Sequence, residues 1–292
     1  MIPARELLAV LNPLGFERGT FVVLGGYIDD SGKGDLFTLS CLIHLGADIS
    51  WLEFEWLKCL EKKNAELIAA NRKPITRFHA ADCNGRHGDF EGWDRDTEQI
   101  PFVADLLSIL VKYRMDAVAF TVNLKELEQR IPASRHNPLR FAYVILLQQI
   151  MLTVANTTLT ENHEAFLTLI HDRGNFDAVY LDSFNAIVKC DAFTFPRKDQ
   201  FTTIAPMCWE KCTLLQPADF MAYENFRESD NQFFGIKRRK SLETLINKGK
   251  IGGSLHALTR DSLDRYAKWL DAAPPPARKL ILDSARVPAR YR

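Results

Sequence analysis

The chain lacks an excess of either charge. Its 292 residues hold 37 Lys and Arg against 37 Asp and Glu. No generally basic surface is therefore available to grip nucleic acid by charge alone, and any polyanion contact needs a local patch. It also lacks an uninterrupted apolar run of about 18 residues, so no membrane-spanning helix is expected. Arg5, Glu6, Glu17 and Arg18 interrupt the first stretch of the chain, and no cleavable signal pattern is found there. Cysteine is scarce: six residues, scattered, do not make a disulfide framework. Free buried thiols in a reducing cytoplasm are the expectation. Internal repeats and a clear domain boundary are both missing.

What is present reads as an α/β enzyme-like chain, 47% hydrophobic and 25% charged. Phe21 to Leu24, leading to Tyr27 and Ile28, predicts a buried strand, and Asp29 through Gly34 predicts a turn. Phe37 to Ile43 predicts a second strand, antiparallel to the first. Leu52, Trp56, Leu57, Leu60 and Leu67 recur at helical spacing, predicting a helix over 51–70. Residues 71–97, with Pro74, Gly85, Gly88 and Gly92, predict a structured loop. A helix over 99–112, a strand over 116–122 and a long helix over 138–156 follow. Ala165 to Ile170 is a continuous apolar run, as in a strand buried on both faces. Phe201 to Cys208 predicts the last strand, 214–226 a helix, and 240–271 further helix. From Ala273 onward the sequence is rich in Pro and Arg and predicts a flexible basic tail.

Three acids fall at comparable places. Asp29 ends the first strand, Asp172 ends the strand of Ala165 to Ile170, and Asp219 lies in the helix after the last strand. The carboxyl ends of neighbouring parallel strands open onto one crevice, where α/β proteins place their chemistry. Gln216 and Asp219, three apart, project from one helical face toward it. Converging carboxylates repel one another and resist desolvation, so a divalent cation or a shared proton is the expected reason to keep them together. Oxygen donors without Cys or His point to Mg²⁺ or Mn²⁺. Each acid also has a plainer reading: Asp29 as a turn former, Asp172 as a helix cap, Asp219 as a solvated helix residue.

Tyr27-Ile28-Asp29-Asp30-Ser31-Gly32, Phe78-His79-Ala80-Ala81-Asp82, Ile170-His171-Asp172 and Gln216-Pro217-Ala218-Asp219 occur in that order. Together they resemble the bacterial and phage family known as domain of unknown function 3800, which is similar to ribonuclease-H-like nucleases. The resemblance spans about residues 21–226. It implies a ribonuclease-H-like mixed sheet with a central first strand, flanking helices and a helical extension over about 227–272. The whole would form a single domain over 1–272, with the tail at 273–292. It also implies a metal-dependent nuclease-type site with Asp29, Asp172 and Asp219 as metal ligands. Asp30 would be a further ligand or orient one, and His79 would assist proton transfer. Gln216 would position a carboxylate or a phosphate.

Other patterns carry less. His79, Cys83 and His87 recur every four residues, but Gly85 and Gly88 argue against the regular helix that zinc would need. Asp29 to Gly34 fails as a calcium loop, because its twelfth position is Ser40. Lys237, Arg238, Arg239 and Lys240 form the densest basic cluster, and Phe233 and Phe234 precede them, a pattern suited to a nucleic-acid strand or to a solvated helix start. The expected function is metal-dependent phosphodiester hydrolysis on nucleic acid, in the cytoplasm and without a membrane role. The rival is a non-catalytic module that keeps the fold and binds nucleic acid, a protein partner or a second copy. Asp30 and Arg77, each standing where the family pattern has a glutamate or an acid, favour that rival. A receiver-like phospho-acceptor domain, with Lys211 after the last strand, fits the length poorly.

Overall fold

The opening hairpin shows how the chain organises itself. In the computed structural model, which describes residues 22–45, 49–162, 164–174, 176–189, 195–233 and 237–285, strand β1 (Val22–Lys33) pairs antiparallel with β2 (Leu36–His44). The turn is only Gly34 and Asp35, and Gly34 takes φ +64°, the conformation a tight hairpin turn asks of its first central residue. The strand therefore runs straight through the predicted turn: Asp29 faces Ser40, Asp30 faces Leu39 and Lys33 faces Leu36. Asp and Ser are poor strand formers, but pairing with β2, which is buried along nearly its whole length, overrides that preference.

β1 is central to a six-stranded mixed sheet in the order β5-β4-β1-β2-β3-β6. Its other neighbour is β4 (Ala165–Asp172), parallel, with the ladder ending where Ile28 meets His171. β5 (Phe201–Met207) lies parallel to β4, and β3 (Arg114–Asn123) antiparallel to β2. β6 (Lys250–Ala257) adds a parallel edge strand beside β3. This last strand corrects the expectation of continuous helix over 240–271. Gly252 and Gly253 break any helix, and Gly253 holds φ +122° with its Cα so close to β3 that a Cβ would lie 1.9 Å from the Ala117 carbonyl oxygen. Helices α9 (Lys240–Lys248) and α10 (Arg260–Ala272) flank it.

Alternation along β1 divides the core. Ile28 faces a layer built on α5 (Pro138–Asn156) and α7 (Asp177–Lys189), whereas Tyr27 faces α1 (Ile49–Ala69), α3 (Ile100–Leu110) and α8 (Leu215–Phe233). α4 (Leu124–Arg130) and the short α6 (Thr158–Glu161) flank α5 in the chain. The stretch Pro138–Glu161 has the length and apolar composition of a membrane span, and 67% of its apolar 18-residue window is buried inside the protein. α8 docks on the sheet through polar contacts: Asn225 donates to Ser40 Oγ at 3.2 Å, and Ser229, Thr121 and Thr38 form a hydroxyl chain at 2.8 and 2.7 Å. Such buried partners have little tolerance for sliding, so they fix where the first turn of α8 sits.

Beyond α10, residues Pro275–Ser284 form α11, not the expected tail. Ala277 and Ile281 are essentially inaccessible and pack into the core beside α7. The Pro-rich composition marks the start of that helix, where Pro is tolerated, and the apolar residues four apart anchor it. The basic residues Arg286, Arg290 and Arg292 lie outside the described residues. The five described cysteines, Cys41, Cys59, Cys83, Cys208 and Cys212, are free.

A carboxylate cavity beside the parallel strands

Strand register brings the first two acids together. Ile28 and His171 are the last paired residues of β1 and β4, so Asp29 and Asp172 are each one step further along adjacent strands. Period-two alternation sends both toward the face occupied by Tyr27 and Ile170, beneath α8. The first turn of α8 then sets Asp219 over them. Asp29, Asp30, Asp172, Asp219, His79 and Gln216 all line one cavity of about 220 Å³, together with Arg77, Phe78, Trp209 and Leu215.

The electrostatics are those of acids held against their preference. Burial lifts the Asp29 carboxyl well above the usual range, and the neighbouring Asp219 and Asp30 push it further. Burial also lifts Asp219, to about 6, against the opposing pull of His79, the Ala80 N–H, Arg77 and a hydrogen bond with Asp29. Ala80 N donates to Asp219 Oδ2 at 2.7 Å. The hydrogen bond with Asp29 favours the charged form of Asp219, while the mutual repulsion of two buried carboxyls favours keeping one proton between them. Both side chains retain partial access to solvent through the cavity mouth, which softens the penalty.

Asp172 is raised by burial and pulled back by Arg77. Arg77 NH1 stands 3.7 Å from Asp172 Oδ2, and its guanidinium lies over the Trp209 ring at 5.1 Å. The cation–aromatic stack holds Arg77 across the cavity mouth. The sequence singles out Arg77 only as a residue standing where the family pattern has an acid, and it gives no sign of Trp209, since nothing local links residues that far apart.

Asp30 departs from its neighbour. Alternation sends it to the opposite face of the sheet, where Tyr143 Oη donates to Asp30 Oδ1 at 2.5 Å. Tyr143 is itself stacked on Phe176 at 4.3 Å and packed edge-on to Tyr180 at 5.0 Å. Burial raises the Asp30 carboxyl and the Tyr143 bond opposes this, while the residue as a whole stays exposed on the rim. Asp29 and Asp30 are therefore not two halves of one ligand set.

His79 begins helix α2 (Ala80–Gly85) and faces the cavity, with Nδ1 2.8 Å from Asp82 Oδ2 in an ion-pair contact that lacks hydrogen-bond alignment. Cys83 is buried and its thiol is pushed up to about 12 by burial. α2 ends at Gly85, and Arg86 turns into the left-handed region at φ 56°, so no helical face carries His79, Cys83 and His87 together. Gln216 is committed inward: its Oε1 accepts from Phe78 N at 2.9 Å and from Trp56 Nε1 at 3.3 Å. It pins the Phe78-His79 segment to α8, so the oxygen expected to meet a substrate is already used.

The basic cluster is elsewhere. Arg238 Nε bonds Glu228 Oε1 at 2.9 Å, and Arg239 NH2 meets Glu224 Oε1 at 3.1 Å while its guanidinium covers Tyr223 at 5.4 Å. Buried Glu224 and Glu228 thus absorb part of the charge that the sequence displays. Neither these arginines nor Lys237 reach the carboxylate cavity.

The donor set of the cavity is oxygen-only apart from His79, which suits a hard cation. Among the described residues no three such side chains are yet drawn close enough to hold an ion. Asp29 and Asp219 lie against one another, and Asp172 is engaged by Arg77. A shared proton between buried carboxylates is what a divalent ion would displace, so the chemistry of the donors fits. No family model, no curated protein and no solved structure matches the chain.

Proposed function

We propose that this chain is a metal-dependent phosphodiester hydrolase of nuclease type, built on a ribonuclease-H-like sheet. The observation that carries the reading is the meeting of Asp29 and Asp219 in one cavity with Asp172, which stands on the parallel strand next to that of Asp29. The topology supports it: β1 is central, with β2 antiparallel on one side and β4 parallel on the other. Helix α1 intervenes between β2 and β3 in the chain, yet the two strands remain neighbours. The resemblance to the domain of unknown function 3800 family points the same way.

Asp29, Asp219 and Asp172 would hold Mg²⁺ or Mn²⁺, and such an ion supplies Lewis-acid stabilisation of phosphoryl oxygens and a more acidic water. The remaining work belongs to the chain. Asp29 and Asp219 would hold the ion as carboxylates, any proton between them passing to solvent at the cavity mouth. Arg77, braced by Trp209, turns from Asp172 to a phosphate oxygen. His79, which faces the cavity beside Asp82, would hand a proton to the leaving oxygen.

The alternative is a binding module that keeps the fold without catalysis. One observation favours it: Arg77 already neutralises Asp172, the internal cation such a module would carry. Mn²⁺ calorimetry and a cleavage assay on labelled single-stranded DNA and RNA separate the two readings. Wild type binds Mn²⁺ and cleaves, and Asp29→Asn loses both. If Asp29→Asn leaves metal binding and cleavage as they were, the hydrolase reading is wrong.

A further inference from the structure

A second cleft, of about 600 Å³, opens on the other side of helix α2 and shares Phe78 with the carboxylate cavity. One stripe of α8 runs from one to the other. Asp219, Tyr223, Arg227 and Asn231 are each four residues apart and so lie along a single helical face. Asp219 lines the cavity, and the other three line the cleft. At a rise of about 1.5 Å per residue the stripe covers roughly 18 Å. A nucleic-acid strand advances about 3.4 Å per nucleotide, so this is the reach of roughly five nucleotides.

The cleft is electrostatically lopsided in a chain that is otherwise neutral. Arg95, Arg227, Lys237, Arg239 and Lys240 line it, and the one carboxylate among its lining residues is Glu224. Glu224 is occupied by Arg239 at 3.1 Å and by Ser241 Oγ at 2.6 Å. Arg227 is paired with Asp230 through NH1 at 2.9 Å, and its buried Nε has no hydrogen-bond partner. Between the cations the lining joins apolar side chains, Ile100, Val103, Ala104 and Leu107 among them, to neutral polar ones such as Asn84 and Gln99. Ile100, 50% exposed, opens one wall, and the Tyr223–Arg239 stack forms the other. A cationic rim over an apolar and aromatic floor is the combination that binds single strands, phosphates on the rim and bases on the floor. Only unpaired, unstacked bases can reach such a floor, which favours a single strand over a duplex.

We propose that this cleft seats single-stranded nucleic acid. Arg95, Lys237 and Lys240 would hold its phosphates, Ile100 and the Tyr223–Arg239 stack would hold a base, and the strand would pass over Phe78 to the carboxylates. Delivery to the cavity rests on the hydrolase reading above, whereas binding in the cleft does not.

The test is fluorescence anisotropy with labelled single-stranded DNA and RNA dodecamers in EDTA, across a salt series, alongside Mn²⁺ calorimetry. Arg95, Lys237 and Lys240 are exposed, so the triple alanine variant is expected to fold as wild type by circular dichroism. Its affinity for a single strand falls at least about tenfold, and losing three phosphate contacts flattens the log–log salt slope by about 2. Lys125→Ala, which removes an exposed cation outside both the cleft and the cavity, leaves that affinity within about twofold. A triple variant with unchanged affinity and slope overturns the cleft and leaves the hydrolase reading standing. So does a duplex of the same sequence that binds as tightly through the same three cations. Loss of strand binding in the triple variant, with no Mn²⁺ binding in wild type, keeps the cleft and overturns the hydrolase reading instead.

Discussion

Replacing Asp219 with Asn tests the shared proton directly, because it removes the charge and keeps the shape. The Asn carbonyl still accepts from Ala80 N–H, and its amide can donate to Asp29, doing permanently what the proton does conditionally. The Asp219 carboxyl titrates at about 6 in the folded protein against 3.8 when free. A raised acid pKa means that the folded state binds the proton more tightly than the unfolded one. Stability is thus fully present below the unfolded pKa and is lost as pH rises through the folded one. Between about pH 4 and pH 7.5 the loss amounts to about 2 kcal/mol as an upper figure, and about 1 kcal/mol once water at the cavity mouth is allowed for. Asp219→Asn is exempt from it. In EDTA the variant's melting temperature should therefore gain on wild type as pH rises, by roughly 2–6 °C across that window. Differential scanning fluorimetry of both proteins over that pH range is the assay. Adding Mn²⁺ at about pH 7.5 should reverse the order, stabilising wild type and leaving the variant unmoved. A melting-temperature difference that does not change with pH would refute the shared proton, and with it the main support for the metal reading.

Other substitutions probe how the cavity is held. Gln216→Leu leaves Phe78 N–H and the Trp56 indole N–H buried without an acceptor, and urea unfolding should register a loss of about 2–4 kcal/mol, with Gln216→Glu recovering most of it. Gly253→Ala drives a Cβ into the Ala117 carbonyl and forces φ +122° on an L side chain; β6 should detach, seen as fast amide exchange over Lys250–Ala257 while β1 and β4 stay protected. Ile281→Ala should lower stability by about 2–4 kcal/mol by chemical denaturation, since α11 is core and not tail; a change within about 0.5 kcal/mol would show that the helix does not pack.

Sequence reading reached furthest where the apolar pattern was long. The helices of Trp56, Leu60 and Leu67, and of Phe141 to Ile150, lay open to it, as did the run Ala165 to Ile170, because burial writes their period directly into composition. It failed where tertiary pairing overruled local preference. Asp29 to Gly32 looks like a turn in isolation, and only the buried partner β2 makes it strand. Residues 250–257 carry two glycines and too few apolar positions to announce a strand, and β6 exists because β3 offers an edge that glycine alone can approach.

The same distinction explains the site. That Asp29, Asp172 and Asp219 share a cavity was legible because Asp29 and Asp172 each follow a buried apolar strand run, and Asp219 lies early in the helix after the last strand. That Asp30 turns away was also legible, since adjacent residues of a strand must face opposite sides, but only once the segment is known to be strand. The partners of these acids were not legible at all. Tyr143 reaches Asp30 across 113 residues, and Gln216 meets Phe78 across 138. Arg77 is placed by Trp209, a ring from the loop after β5. Acids can be found by where strands stop, whereas the groups that set their charge come from whichever helix packs over them. Hence the cavity's location is a property of the local sequence, and its protonation is a property of the packing, which is why the decisive measurement is a titration.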